Sequence, residues 1–252
     1  MTVRVEAPAK LTWSLRITGV RNDGYHLIDA EMSSLELADT VTIDESPQTS
    51  LTVDGPFAAG VPLDETNLVW RALHMSGRTA KVHIAKHIPH GGGLGGGSTD
   101  AAAILRWARR VDLVDAASIG ADVAFCVAGG RARVGGIGEI VEPLPHVARA
   151  VTLIVPPVVV STPLVYARWD SLGGPTGENG NDLEPAALAE VPALEEWRDT
   201  IGSALGVAPR LAGSGATWFV EGHHRDAADL FPRATVVLTA ARADAGTISA
   251  VR

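Results

Sequence analysis

Residues 88–100, Ile88-Pro89-His90-Gly91-Gly92-Gly93-Leu94-Gly95-Gly96-Gly97-Ser98-Thr99-Asp100, hold the densest concentration of glycine in the chain. Glycine accepts positive φ and lets the backbone approach a ligand closely, so consecutive amide N–H groups can converge on an anion. Ala101-Ala102-Ala103-Ile104-Leu105 follows at once, a run of helix formers for which Ser98, Thr99 or Asp100 is the predicted cap. A helix opening here adds the positive end of its dipole to the same place. The segment reads as a phosphate cradle rather than a flexible linker, because linkers seldom run straight into a capped helix. It is not a P-loop, since Gly97 meets Ser98 with no lysine between them. Gly91, Gly93 and Gly96 satisfy the dinucleotide fingerprint formally, with Asp112 at the distance of a ribose-binding acid. That alternative suffers because Lys86 to His90 separate the preceding strand from the first glycine.

Phosphoryl transfer needs an acceptor hydroxyl, a group to take or orient its proton, and cations against the phosphate charge. Asp122, in Gly120-Ala121-Asp122-Val123-Ala124-Phe125, is a lone carboxylate beside an apolar run; it suits a helix cap, a site residue, or both. Lys10 and Lys86 are the candidate cations, each with a solvated surface lysine as the simpler reading. Gly213-Ser214-Gly215-Ala216 is a second small-residue turn, either a tight connection or a further backbone wall near phosphates. The eight histidines show no metal-ligand spacing, and a single cysteine gives neither an internal disulfide nor a four-thiolate site.

These groups need elements to hold them. Leu11, Trp13, Leu15 and Ile17 alternate with Lys10, Thr12, Ser14, Arg16 and Thr18, which predicts a half-buried strand with Lys10 and Thr12 on its polar face. Asn22-Asp23-Gly24 predicts a turn that delivers Tyr25-His26. Short strands are expected at 40–43, 51–53, around 82–84, at 151–155, 216–220 and 234–239. Helices are expected after Thr66, as its cap, after the glycine loop, and over 193–205; residues 173–181 read as an exposed loop. The mixture argues for an α+β or α/β protein.

The 252 residues allow one large domain or two small ones, and a net charge of −8 excludes a broadly basic face for nucleic acid or anionic membrane. The opening residues lack a signal-peptide pattern and the longest apolar run is broken by prolines. A soluble, cytoplasmic protein is expected, monomeric or weakly homodimeric, with no nucleic-acid or membrane partner. Tyrosine is scarce, with Tyr25 and Tyr166 the only two.

Pro8-Ala9-Lys10-Leu11, Asp23-Gly24-Tyr25-His26, Asn67 to Ala72, the glycine loop, Gly120-Ala121-Asp122-Val123, Asn181-Asp182-Leu183-Glu184-Pro185 and Gly213-Ser214-Gly215-Ala216 stand in the order found in the GHMP kinase superfamily. From Pro8 to about Val220 the chain resembles in particular the members that act on a cytidine-diphosphate-linked methylerythritol. The resemblance implies a two-domain α+β fold, with an ATP-binding domain over 1–148, a C-terminal domain over 149–252 and the active site in the cleft between them. It implies ATP and Mg²⁺ as cofactors and transfer of the γ-phosphate to the substrate 2-hydroxyl in non-mevalonate isoprenoid synthesis. Asp122 matches the family's catalytic aspartate and Lys10 the lysine that holds it ionised. Asn67 matches a position near adenine, and Gly91, Gly92, Gly93, Leu94, Gly95, Gly96, Gly97 and Ser98 the loop that wraps the ATP phosphates; Lys86, by its place just before that loop, could reach a phosphate. His26 matches the residue that reads the cytosine edge, Tyr25 and Tyr166 the aromatic pair that sandwiches the base, with Thr12, Thr162, Gly213 and Ser214 beside the substrate. The chain departs from the family pattern at Thr12, Asp100 and Ala124, where Asn, Asn and Pro are usual, and in a short stretch before Gly120. Asp100 puts a negative charge at the helix end meant for phosphate, which requires Mg²⁺ or Lys86 to offset it. Another small-molecule kinase of the superfamily, or a nucleotide-binding homologue with weakened catalysis, stays open.

Overall fold

The structure is a computed structural model and describes residues 1–251. Strand β1 (Thr2–Val20) runs into the Asn22-Asp23-Gly24 turn, where Gly24 takes a φ of 87°, and the chain returns as β2 (His26–Glu45). The first part continues through β3 (Ser50–Asp54), α1 (Leu68–Ser76), β4 (Ala80–Ala85), α2 (Gly96–Trp107), α3 (Leu113–Ile119), α4 (Val123–Ala128), β5 (Arg131–Gly136) and β6 (Ile140–Leu144). The second comprises β7 (Ala150–Val155), α5 (Thr162–Ser171), α6 (Glu184–Glu190), α7 (Ala193–Leu205), β8 (Arg210–Leu211), β9 (Trp218–Glu221), α8 (Ala227–Leu230), β10 (Thr235–Ala240) and β11 (Ile248–Ala250).

Seven strands form one sheet, in which β11, β1, β2, β4 and β3 are successive neighbours and β5 joins β2 to β6. The second sheet has four strands in the order β10, β7, β9, β8. Sheets change between β6 and β7, but β11 crosses back and pairs with Val3 to Val5 of β1. Among the described residues no helix is long and apolar enough to cross a membrane.

The alternation read in β1 does not run through the whole strand. Leu11 and Trp13 pack with Leu153 and Phe219 of the second sheet, whereas Leu15 and Ile17 join the main core with Met32 and Phe125. A register shift between Thr12 and Ser14 explains the change of side, because a β-bulge moves later side chains to the other face. Two helix starts also differ from expectation. Asn67, not Thr66, caps α1, accepting a hydrogen bond from the Val69 N–H at 2.9 Å. Helix α2 begins at Gly96, with Gly95 as its N-cap, so Ser98, Thr99 and Asp100 lie within its first turns and none caps it.

Candidate active site

The glycine loop is wedged between β1 and the Gly213-Ser214-Gly215 turn. Gly93 has a φ of 75°, and a Cβ there would lie 2.6 Å from the Ala212 carbonyl oxygen; at Gly95, with a φ of 69°, it would lie 2.7 Å from Lys10 Cγ. Both positions demand glycine by conformation and by space. The Lys10 N–H donates to the Leu94 carbonyl at 2.9 Å, which ties the loop to β1. On the far side Asn181 Nδ2 donates to the carbonyls of Leu211 and Gly213, at 3.0 and 2.7 Å, and its Oδ1 accepts from the Leu183 N–H. Asp182 accepts from Arg16 at 2.6 Å and from the Ile17 N–H at 2.9 Å. The Asn-Asp-Leu-Glu-Pro motif therefore braces the second glycine turn against β1.

Lys10 sits where loop, strand and turn meet. Its side chain is 6% exposed, so the solvated reading of Lys10 gives way to a buried cation. The second part of the chain covers the face that β1 alone would leave wet. Its Nζ lies 3.2 Å from Asp122 Oδ2 and donates to Thr12 Oγ1 at 3.2 Å. Asp122 stands at the start of α4 but makes no side-chain capping bond. Its carboxylate is one third exposed and open to a ligand, and the ammonium beside it balances its charge.

Lys86 departs from the sequence reading as both phosphate ligand and surface lysine. It is 2% exposed beneath the loop, where its ammonium pairs with Asp39 and lies 2.7 Å from Asp100. Asp39 also accepts from the His87 and Ile88 N–H groups, at 2.6 and 2.8 Å. Both carboxylates claim the ammonium, which leaves it nothing to offer the cavity. Lys86 is thus the charge that offsets Asp100, and the α2 end keeps its positive character. Burial works against the Lys86 charge, yet the two carboxylates hold its ammonium above the ordinary lysine range. Burial pushes Asp100 up, Lys86 pulls it back and Asp39 pushes it up again, leaving it at about 7.

That shift has a consequence for stability. Between the unfolded carboxyl value of about 4 and the folded value the native state holds a proton that the unfolded chain has released, so stability falls as pH rises across that window. Asp100→Asn, neutral throughout, is expected to exceed the parent in stability at about pH 8, with the gap narrowing toward about pH 5 in urea titrations. A gap that widens on acidification would contradict the sign.

A cavity of about 600 Å³ opens from this point, in the size range of small-molecule sites. Lys10, Thr12, Tyr25, His26, Gly93, Gly95, Ser98, Asp122, Thr162, Tyr166, Gly213 and Ser214 all line it. Thr162 and Ser214 join their hydroxyls across it at 2.7 Å. Larger hollows beside α1 and between α6 and α7 contain none of these groups. Asn67 does not line the cavity, because Oδ1 caps α1 and Nδ2 donates to the Pro62 carbonyl at 2.8 Å. Gly91, Gly92, Leu94, Gly96 and Gly97 belong to the loop but lie outside the lining. Asp112, the acid of the dinucleotide alternative, is engaged in capping α3 through the Asp115 N–H.

The aromatic pair is not a ready parallel clamp. Tyr25 is 59% exposed, whereas Tyr166 has its ring against His26, with centroids 4.7 Å apart. Burial, with a contribution from Asp122, pushes the Tyr166 hydroxyl up to about 12. Two further residues, Trp169 and Asp170, contact His26. Their i+3 and i+4 spacing from Tyr166 on a helix opened by Ser161-Thr162-Pro163 was the available signal. Nothing local marks Asp39, whose partner lies 47 positions away.

A glycine loop opening a helix, with a buried lysine beside a partly exposed aspartate in one cavity, is the arrangement of a GHMP kinase, a small-molecule phosphotransferase. Residues 67–130 match the family of GHMP kinases N terminal domain. The chain belongs, within that class, to the 4-diphosphocytidyl-2-C-methyl-D-erythritol kinase family. It is 40% identical over 240 residues to the enzyme of that name from Paracoccus denitrificans, covering 86% of this chain and 85% of the relative. The corresponding enzyme from Ruegeria pomeroyi is 35% identical over 246 residues, covering 87% and 88%. A crystal structure of 4-(cytidine 5'-diphospho)-2C-methyl-D-erythritol kinase superposes with a TM-score of 0.72 at 28% identity, over 95% of this chain and 99% of that one. A homoserine kinase from Cytophaga hutchinsonii, 18% identical with a TM-score of 0.65, shares the fold.

Proposed function

We propose that the chain transfers the γ-phosphate of ATP to the 2-hydroxyl of 4-(cytidine 5'-diphospho)-2-C-methyl-D-erythritol, in non-mevalonate isoprenoid synthesis. The observation that carries this reading is one cavity shared by the Lys10–Asp122 pair, the glycine loop, and Tyr25, His26 and Tyr166. Residues 1–148 are then the ATP-holding part, and 149–252 complete the cleft. The proposal places the enzyme in the cytoplasm as a monomer or weak homodimer, where ATP and a charged, water-soluble substrate are both available.

The loop from Gly91 to Ser98 fits nucleotide phosphates on two observations. An added Cβ at Gly91 or Gly97 would meet nothing within 4 Å, so the outer side of the loop is open. Helix α2, 12 residues long, starts at Gly96 and directs its positive end there. ATP with Mg²⁺ supplies a phosphoryl group whose charge the metal partly neutralises. Among the described residues no group of three His, Cys, Asp or Glu side chains converges. A Mg²⁺ ion would therefore take most ligands from phosphate oxygens and water, with Ser98 as an oxygen donor on the cavity wall. Asp122 orients or accepts the proton of the substrate hydroxyl, and Lys10 steadies the carboxylate and contacts the reacting groups. Thr12, shorter than an asparagine, leaves room on that wall.

The test is a panel assay with ATP and Mg²⁺. Turnover of the cytidine-diphosphate-linked substrate is expected, with none of homoserine, mevalonate or simple sugars. Tyr25→Ala should raise KM for the cytidine substrate about tenfold with little loss of stability, since a base stacked on an aromatic ring gains roughly 1–3 kcal/mol. Preferred turnover of a small alcohol, indifferent to Tyr25→Ala, would replace this reading with another kinase of the class. Nucleotide binding without turnover of any acceptor would leave a binding protein.

A further inference from the structure

One face of α5 holds the His26 imidazole from three directions. Tyr166, Trp169 and Asp170 are spaced i, i+3, i+4, the interval that aligns side chains along a helix. The Tyr166 ring lies tilted by 40° against the imidazole at 4.7 Å, and the Trp169 ring meets it edge-on at 83° and 5.4 Å. Trp169 is itself fixed by donating Nε1–H to the Pro175 carbonyl at 2.8 Å. Asp170 Oδ1 lies 2.8 Å from His26 Nε2, and the His26 side chain is only 9% exposed. A carboxylate accepts and does not donate, so this bond requires the proton on Nε2. In the neutral ring the remaining nitrogen, Nδ1, is then an acceptor, and no side chain among the described residues occupies it.

We propose that Asp170 sets the base selectivity of the cavity, by locking His26 as the Nε2–H tautomer so that Nδ1 accepts a hydrogen bond from the exocyclic amine of a cytosine. This rests on the reading of the cavity as a cytidine site. A uracil presents a carbonyl where cytosine presents the amine. Two acceptors then face each other, and a site built for a donor rejects the analogue that lacks it. Asp170 acts through His26 and is a positioning residue. The lock also explains why a ring already flanked by two aromatics needs a third contact: stacking fixes its plane but not which nitrogen carries the proton.

The test compares wild type, Asp170→Asn and Asp170→Glu. It measures CDP and UDP affinity by calorimetry, steady-state kinetics with the cytidine substrate, and ¹⁵N shifts of the His26 ring. An Asn amide can turn either its NH₂ or its C=O toward Nε2, so the tautomer is released. The expected result for Asp170→Asn is an approximately tenfold fall in the CDP-over-UDP preference, a KM rise of about the same size and a kcat within about twofold, with His26 shifts moving toward a tautomer mixture. Asp170→Glu keeps the acceptor and should recover most of the preference. Asp170 is half exposed, so all three proteins should melt within a few degrees of one another. An Asp170→Asn protein with undiminished preference and unmoved His26 shifts would overturn this proposal and leave the cytidine reading standing. A wild type that binds UDP as well as CDP would remove the cytidine reading, and this inference with it.

Discussion

Asp122→Asn is expected to lower kcat by about 10²–10⁴-fold while ATP still binds with near wild-type affinity. The carboxylate is free of structural duty, with no capping bond to α4 despite its place at the helix start. Its one strong partner, Lys10 at 3.2 Å, is a buried cation that also has Thr12. An Asn side chain can still accept from Lys10, so the fold loses at most about 1–3 kcal/mol, the range for a weakened buried polar contact. The loss therefore falls on the chemical step, where an amide cannot take the hydroxyl proton. Single-turnover kinetics with calorimetric ATP titration separates the two effects. A variant with full turnover would remove Asp122 from the mechanism, and one that fails to bind ATP would move its role to nucleotide binding.

Lys86→Met is expected to cost about 3–5 kcal/mol of stability, the range for leaving buried charges without their partner. Asp39 and Asp100 would then face each other under the glycine loop with no cation, at 0% and 3% side-chain exposure. Asp39 keeps two backbone N–H donors, whereas Asp100 has an oxygen with no partner even in the intact protein. Asp100 is thus the group that would take up a proton. The double variant Lys86→Met with Asp100→Asn should recover part of the loss, because one of the opposed charges is gone. Urea unfolding of the four proteins gives the coupling. A single variant within about 1 kcal/mol of wild type would show that the ammonium does not hold the triad together.

Much of this was legible in the chain. The glycine loop and the helix behind it, the turn before Tyr25, the strands at 51–53 and 151–155 and the helix over 193–205 follow local rules that the fold obeys. What escaped was non-local. Alternation in β1 presumes that one face meets solvent, but the second sheet covers Leu11 and Trp13 and the cavity encloses Lys10 and Thr12. Lys86 looks like any lysine after a strand until Asp39 arrives from β2. The start of α2 misled because glycines served as both cap and first turn, so no side chain had to. Tyr25 and Tyr166 do reach one cavity, but the Tyr166 ring is set by α5 and its packing on His26 while Tyr25 stays exposed, which sequence order does not specify.

The hydrogen bonds along β1 determine how the cleft can behave. Within six residues this strand holds the glycine loop through the Lys10 N–H, and the 180–182 segment through the Leu15 N–H and carbonyl, each at 2.8–2.9 Å. Its first residues are clasped by β11 from the far end of the chain. A hinge that swung one part away from the other would have to tear contacts from a single continuous rail. The walls of the cavity are therefore joined through one strand. Among the residues lining the cavity Tyr25 is exposed, so its ring can adjust to a ligand without breaking any of the bonds along that strand.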